Sequence, residues 1–242
     1  MILAVEDLTV SFDGFRAVDG LALSVEEDEL RCVIGPNGAG KTTLLDMICG
    51  KTRPTRGSIR FKEHELTAML EYEVTRVGVG RKFQTPSTYD DLTVLENLEI
   101  SYPRSRGVIG SLFFKRDRAL LDKIDEVAQR IRLTDQLHVK AGSLSHGQKQ
   151  WLEIGMLLMQ DPELLLLDEP VAGMSPRERE LTAEMLSAIS AGRSTIVIEH
   201  DMAFVRMIAH TVTVMHQGRV LAEGSMDEVQ NDPRVIEVYL GD

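Results

Sequence analysis

Two stretches of this chain carry residue types suited to holding and splitting a phosphate anhydride: Gly35-Pro36-Asn37-Gly38-Ala39-Gly40-Lys41-Thr42 and the carboxylate pair Asp168-Glu169. The first fits G-x-x-x-x-G-K-[ST]. Its glycines let successive backbone N–H groups converge on an anion, and a following helix adds the positive end of its dipole. Asn37, Gly38, Ala39, Gly40, Lys41, Thr42 and Thr43 are therefore candidates for gripping a nucleotide. In this reading Lys41 reaches the β- and γ-phosphates as a mobile point charge, and the Thr42 hydroxyl coordinates Mg2+.

Asp168 and Glu169 close the apolar run Leu164–Leu167, which reads as a buried parallel strand, and the C-terminal ends of such strands are where α/β sheets place chemistry. Asp168 is the candidate for holding Mg2+, and Glu169, further out, for polarising a water that attacks the γ-phosphate. Two carboxylates that merely end a strand are the plainer account. It loses ground because a phosphate loop demands a metal partner. His200 ends another apolar run, Ile196–Ile198; a lone histidine there is more often structural, but on the same sheet edge it would donate to the γ-phosphate or the attacking water. Gln84, at a strand end, carries almost no information alone.

The elements that must position these groups follow from periodicity. Leu30–Ile34 reads as a buried strand entering the loop, and Thr42–Ile48 as a helix with Leu44, Leu45 and Ile48 inward, closed by Gly50. Residues 3–11 alternate like a strand, Phe12-Asp13-Gly14-Phe15 makes a turn, and a second β segment runs around Gly20 to Val25. Phe12 offers a flat face to adenine with Ala17 or Val18 beside it, although a Phe near a turn more often packs in a small core. Further strands are expected at Ser58–Phe61 and from Val77 to Gln84. From about Pro86 to Gln160 helical spacing dominates, as in Leu120, Leu121, Ile124, Val127, Ala128 and Ile131. Arg104–Ser111 reads as a loop, and Leu112-Phe113-Phe114 as partner surface or buried packing. Ser145 and Gln148 have capping-box spacing at the start of a helix running to about Met159, with Trp151, Ile154, Gly155 and Leu158 inward. That start is an ordinary cap or an anion-binding helix end aimed at a phosphate held elsewhere. Val212–Ala222, broken at Gln217-Gly218, reads as a hairpin, followed by short helical pieces.

The fold class expected is α/β: a P-loop NTPase core with an antiparallel β subdomain and a helical subdomain. Residues 1–85 and 161–242 form the core and 86–160 the helical part. A hydrophobic fraction of 43% is ordinary for a globular chain. Lys+Arg 27 against Asp+Glu 38 gives a formal charge of −11, which argues against nucleic acid as a partner. Cys32 and Cys49 lack metal-ligand or disulfide spacing. The N-terminus meets acidic residues before a signal-length apolar region, and no stretch is long and apolar enough to span a bilayer. A cytoplasmic protein, peripheral on the inner face of the cell membrane through a partner, is expected.

With these residues in hand the chain resembles the ATP-binding cassette ATPases over essentially its whole length. GPNGAGKT at Gly35–Thr42, Gln84, LSHGQ at Leu144–Gln148, LLLLDE at Leu164–Glu169 and His200 occur in that family's order. The resemblance implies ATP and Mg2+ as cofactors and a head-to-tail dimer with a second cassette, the same or a homologous chain. In that dimer Ser145, Gly147 and Gln148 of one subunit complete the ATP site of the other. It also places Phe12 at the adenine, makes Gln84 the link between Mg2+ and the helical region that meets a membrane partner, and sets Val171–Ser175 across the dimer interface. His146 departs from the usual glycine, and Ser175 from a common aspartate. At finer resolution the chain is similar to the ATPases of branched-chain amino acid and amide importers, most of all urea importers, through Gly80–Gln84, Leu144–Met156 and Ala222–Gly241. That likeness implies two transmembrane permease subunits and, indirectly, a solute-binding protein.

Import is therefore the expected role, with urea or a short amide as solute and a branched-chain amino acid as the alternative. Lipid or lipopolysaccharide export would share every catalytic motif. A soluble role in DNA repair or translation would call for a second cassette, coiled coils, zinc ligands or a basic surface, none visible here. A regulator without turnover is opposed by Lys41, Asp168, Glu169 and His200.

Overall fold

A computed structural model describes residues 1–82, 88–103 and 116–240 of the chain. These residues form two compact units. The first comprises Met1–Arg81, Glu163–Pro170 and Ile189–Asp242, and the second Lys82–Pro162 and Val171–Ala188.

In the first unit, strands β1 (Leu3–Phe12), β2 (Phe15–Val25), β4 (Arg56–Phe61) and β5 (His64–Glu65) form an antiparallel sheet in the order β2-β1-β4-β5. A second sheet runs β10-β9-β3-β8-β7-β6, built from β3 (Leu30–Ile34), β6 (Val79–Lys82), β7 (Leu164–Asp168), β8 (Ser194–Ile198), β9 (Thr211–His216) and β10 (Arg219–Gly224). Strands β3, β7, β8 and β9 are mutually parallel, and β10 returns antiparallel through Gln217 and Gly218, both at positive φ. That pair suits the tight turn of a hairpin. Strands β3, β7 and β8 are buried along their whole length, as expected of strands covered on both faces.

Helix α1 (Lys41–Ile48) buries Leu44, Leu45, Met47 and Ile48 in one cluster with Leu8 and Phe61 of the antiparallel sheet and Leu166 and Ile196 of the parallel one. This cluster anchors the helix that carries the glycine loop. Leu166 is fully buried at its centre. Leu166→Ala should lower unfolding free energy by about 2–5 kcal/mol, read from denaturant melts, and a loss under about 1 kcal/mol would show that the cluster collapses around the gap.

The structure departs from the sequence reading at several places. Strand β2 begins at Phe15, not near Gly20, because Gly20 (φ 63) sits inside the strand at a register irregularity while Arg16 and Phe15 continue the pairing with Ser11 and Phe12. The strand expected from Val77 starts at Val79, after a short helix α2 (Glu71–Arg76) that only Val74 anchors. The turn at Gly78 (φ 107) is pinned from outside, its carbonyl accepting from the N–H groups of Glu163 and Leu164.

In the second unit, α3 (Val94–Ser101), α4 (Arg118–Arg130) and α5 (His146–Leu158) bury Leu98, Ile124, Val127, Trp151, Ile154 and Leu158, and Ile131, the C-cap of α4, is buried as well. Gly155 lets the helices close up: a Cβ there would lie 2.5 Å from Ile131 and 3.1 Å from Leu98. The long helix α6 (Pro176–Ser190) was not anticipated, although a Ser-Pro start is a legible signal. Its Thr182 hydroxyl accepts from the Trp151 indole at 2.8 Å. The chain continues through α7 (Met202–Ile208) after β8, and through α8 (Met226–Gln230) and α9 (Pro233–Leu240) after β10. Among the described residues no helix is long and apolar enough to cross a membrane. The readings of Arg104–Ser111 and Leu112–Phe114 lie outside the described residues.

Candidate active site

Strand β3 delivers the chain to Gly35, whose φ of 150° and lack of a side chain let it pass against the carbonyl of Met215. Gly40, at φ 97°, packs against the carbonyl of Ala17 and serves as the N-cap of α1. Thr93, Asp117, Ser145, Asp201 and Ser225 each accept a backbone N–H at the start of their own helices, whereas Gly40 offers no acceptor. The first turn of α1 is thus left with N–H groups facing outward and no side-chain cap, the arrangement that binds an anion.

Lys41 stands at this end, half-buried, donating from Nζ to the carbonyls of Gly35 (2.8 Å) and Pro36 (3.0 Å). Burial pushes its pKa below the usual ammonium value, against the opposing pull of Glu169 and Asp168. Thr42 and Gly38 are exposed beside it, as is Asn37, while Ala39 is buried and Thr43 partly so. Ala39 accepts from the N–H of Gly218, and Gly218 accepts from Asp19, which ties the loop to β2.

Asp168 closes β7 with 1% exposure, and neither of its carboxylate oxygens makes a full hydrogen bond. Burial pushes its pKa up, while the nearby Thr42 hydroxyl and the Arg81 guanidinium, 4.0 Å away, pull it down. A buried carboxylate left this way is an incomplete site. The donor set fits Mg2+, a hard cation that takes one carboxylate, one hydroxyl and shared phosphate or water oxygens in place of a protein cage. In keeping with that, no cluster of three or more His, Cys, Asp or Glu side chains poised for a metal occurs among the described residues.

Glu169 follows with a left-handed backbone, φ 47°, fixed by its N–H donating to the carbonyl of Ile198 at 3.0 Å. That turn swings its carboxylate out of the sheet to 32% exposure, where Oε1 lies 3.4 Å from Nδ1 of His200. His200 is two-thirds exposed at the end of β8, and its N–H donates to the buried carboxylate of Glu199 at 3.1 Å. Phe12 and Phe15 face each other across the β1–β2 tip, 49% and 66% exposed, while Ala17 is buried.

Lys41, Thr42, Asp168, Glu169, His200 and Phe12 thus all belong to the first unit. Ser145, Gly147 and Gln148 belong to the second. There Ser145 Oγ accepts from the N–H of Gln148 at 3.2 Å and Gln148 Oε1 accepts from the N–H of Ser145 at 3.0 Å, the expected capping box. Gln84 lies outside the described residues.

Sequence reasoning missed Arg81 and Glu199. The Arg81 guanidinium is 5% exposed and donates to Asp46 Oδ1 at 2.5 Å and Cys49 Sγ at 3.0 Å, on the side of Asp168. A charged residue inside a run destined for a central sheet was the available signal for both, because such groups are rarely buried without a task.

The sequence profile described as ABC transporter matches residues 18–172, and one described as branched-chain amino acid ATP-binding cassette transporter matches residues 219–242. The high-affinity branched-chain amino acid transport ATP-binding protein LivG of Salmonella typhimurium is 35% identical, covering 100% of this chain and 98% of its own length. BraF of Pseudomonas aeruginosa, with the same description, is also 35% identical with the same coverage. Among solved structures, the ADP conformation of an ATP-binding cassette of an ABC transporter superposes with a TM-score of 0.88 at 33% identity, covering 100% of this chain and 99% of that one. A nucleotide-free cassette from an ABC transporter gives 0.87 at 32% identity, with 100% and 99% covered.

Proposed function

This chain belongs to the ABC transporter family, and we propose that it is the ATP-hydrolysing subunit of an importer, with urea or a short amide as the solute. It is an ATPase cassette of the branched-chain amino acid importer type. The observation that carries the site reading is the buried Asp168 carboxylate, without a full hydrogen bond, facing Thr42 beside the uncapped end of α1.

The roles follow from the geometry. Lys41 exchanges the carbonyls of Gly35 and Pro36 for phosphate oxygens, and the N–H groups of the loop and of α1 hold the rest of the polyphosphate. Thr42 and Asp168 hold Mg2+, with Gln84 as a further ligand by the family's pattern. Bound there, Mg2+ supplies charge neutralisation to the phosphate oxygens. Glu169 accepts a proton from the attacking water, and His200, within 3.4 Å of it, orients that water or donates to the γ-phosphate. The Phe12 ring, with Ala17 two residues along β2 from Phe15, stacks on adenine. A second cassette, the same or a homologous chain, meets this one head to tail. In that arrangement Ser145, Gly147 and Gln148 close on the other subunit's ATP, and two permease subunits receive the motion, fed by a solute-binding protein. ATP favours the closed dimer by binding it better than the open one.

The Mg2+ assignment has a consequence for the nucleotide-free protein. A carboxyl whose pKa is raised on folding is held more tightly protonated in the native state than in the unfolded one, so its ionisation at neutral pH detracts from stability. Asp168→Asn should therefore raise the melting temperature of the nucleotide-free protein and remove the part of ATP stabilisation that depends on Mg2+. A variant that keeps a parental Mg2+ effect in thermal-shift titrations would take Asp168 out of the metal site.

Urea as solute rests on the resemblance read from Gly80–Gln84, Leu144–Met156 and Ala222–Gly241 alone, and the last of these falls within the segment matched by the branched-chain amino acid cassette profile. A second reading, a branched-chain amino acid, is favoured by the names of LivG and BraF. Uptake of labelled urea and labelled leucine by cells with and without the chain, with Glu169→Gln as the inactive control, separates them. Loss of urea uptake alone supports the first reading, and loss of leucine uptake alone the second. Loss of neither removes import.

A further inference from the structure

The carboxylate of Glu178, on α6, joins the starts of two helices in the second unit. Its Oε2 accepts from the N–H of Ser175 at 2.9 Å and from the Ser175 hydroxyl at 2.7 Å, and the Glu178 N–H returns a bond to Ser175 Oγ at 3.3 Å. Its Oε1 turns the other way and accepts from the hydroxyl of Ser145 at 3.3 Å. The same oxygen lies over the first turn of α5: a Cβ on Gly147 would sit 2.5 Å from Oε1 and 2.9 Å from the carboxyl carbon. Glu178 therefore covers the two residues, Ser145 and Gly147, that the proposed function assigns to the other subunit's ATP.

A serine hydroxyl has one proton to give. Ser145 Oγ already accepts from the N–H of Gln148, so that proton points to Glu178. Phosphate oxygens at neutral pH are acceptors, and to bond Ser145 they require the same proton. They would also arrive as a second anion against a carboxylate. Glu178 stays charged: the Ser175 backbone N–H first, then the Ser175 and Ser145 hydroxyls and the neighbouring His146, hold its pKa below the usual carboxylate range.

We propose that Glu178 is a positioning residue that occupies the N-terminal end of α5 in the open protein and competes with the incoming γ-phosphate for the Ser145 proton, setting how much ATP is needed to close the dimer. The proposal rests on the head-to-tail dimer proposed above, in which the two cassettes sandwich ATP. It also gives Gly147 a structural reason in the open protein, since any side chain there would displace the Glu178 carboxylate.

The test uses the full chain in a Glu169→Gln background, with dimerisation followed by sedimentation as ATP is raised. Glu178→Ala should lower the ATP concentration at half-dimerisation by about tenfold, the scale of removing one competing charged hydrogen bond. Glu178→Gln, which keeps the side-chain volume and removes the charge, should shift it the same way by less. ATP binding by the monomer, read by fluorescent-nucleotide titration at low protein concentration, should not move. Arg177→Ala loosens the same helix start by removing the bond to Glu180 but leaves Glu178 and its partners in place, and should not lower the midpoint. An unchanged or raised midpoint in both Glu178 variants overturns the proposal, and so does an equal lowering by Arg177→Ala, which would make the effect one of helix-end loosening. If the Glu169→Gln parent stays monomeric at saturating ATP, the sandwich arrangement itself fails and this inference goes with it.

Discussion

Glu169→Gln is expected to bind ATP at near parental affinity while losing hydrolysis by about 10²–10⁴-fold, the range attributed to a positioned general base. The substitution preserves length and the left-handed turn, so the N–H bond to Ile198 and the approach to His200 survive. What disappears is the ability to take a proton from water. The carboxylate lies apart from the phosphate loop's own contacts to Lys41, so binding and turnover should separate cleanly. A phosphate-release assay at saturating ATP, paired with a nucleotide titration, checks both halves. Turnover within a few-fold of the parent would move the general-base role to another residue.

Lys41→Ala should weaken ATP binding by about 30-fold or more, the equivalent of the 2 kcal/mol or greater cost of truncating one partner of a partly buried charge pair. In the nucleotide-free protein Lys41 spans the loop by donating to Gly35 and Pro36, so its removal also loosens the cradle. Lys41→Arg should not rescue binding, because a planar fork cannot replace a compact point charge in this narrow turn. An unchanged dissociation constant in fluorescence titration would remove Lys41 from the phosphate site.

The parts of this architecture that were legible in the sequence are those where local chemistry and global fold agree. The glycine loop, the all-apolar run Leu164–Leu167 and the capping box at Ser145 each state their structure in a few residues, and the structure holds them as written. Where a long-range contact overrode the local signal, the reading slipped. Gly20 looked like a strand start because glycine punctuates, yet cross-strand pairing carried β2 back to Phe15. Helix α6 has a modest apolar stripe, and its start at Pro176 directly follows Val171–Ser175, the stretch set by resemblance across a dimer interface. The partners of Asp168 were hidden for a different reason: Arg81 reaches it from a strand more than eighty positions away in sequence, a proximity that spacing cannot reveal. The Glu178 bridge between Ser145 and Ser175 is of the same kind.

The backbone at Glu169 has one more consequence. Other non-glycine residues at positive φ, such as Asp13 and Gln217, sit at hairpin tips, where the tight turn calls for that conformation. Glu169 adopts it between a buried strand and the site, at a conformational cost on the order of 1 kcal/mol that glycine would not bear. Laboratory evolution that rewards heat resistance alone will therefore drift toward glycine at 169 and return sturdier, idle proteins. Libraries built for durability should hold this codon fixed and look for their gains elsewhere in the chain.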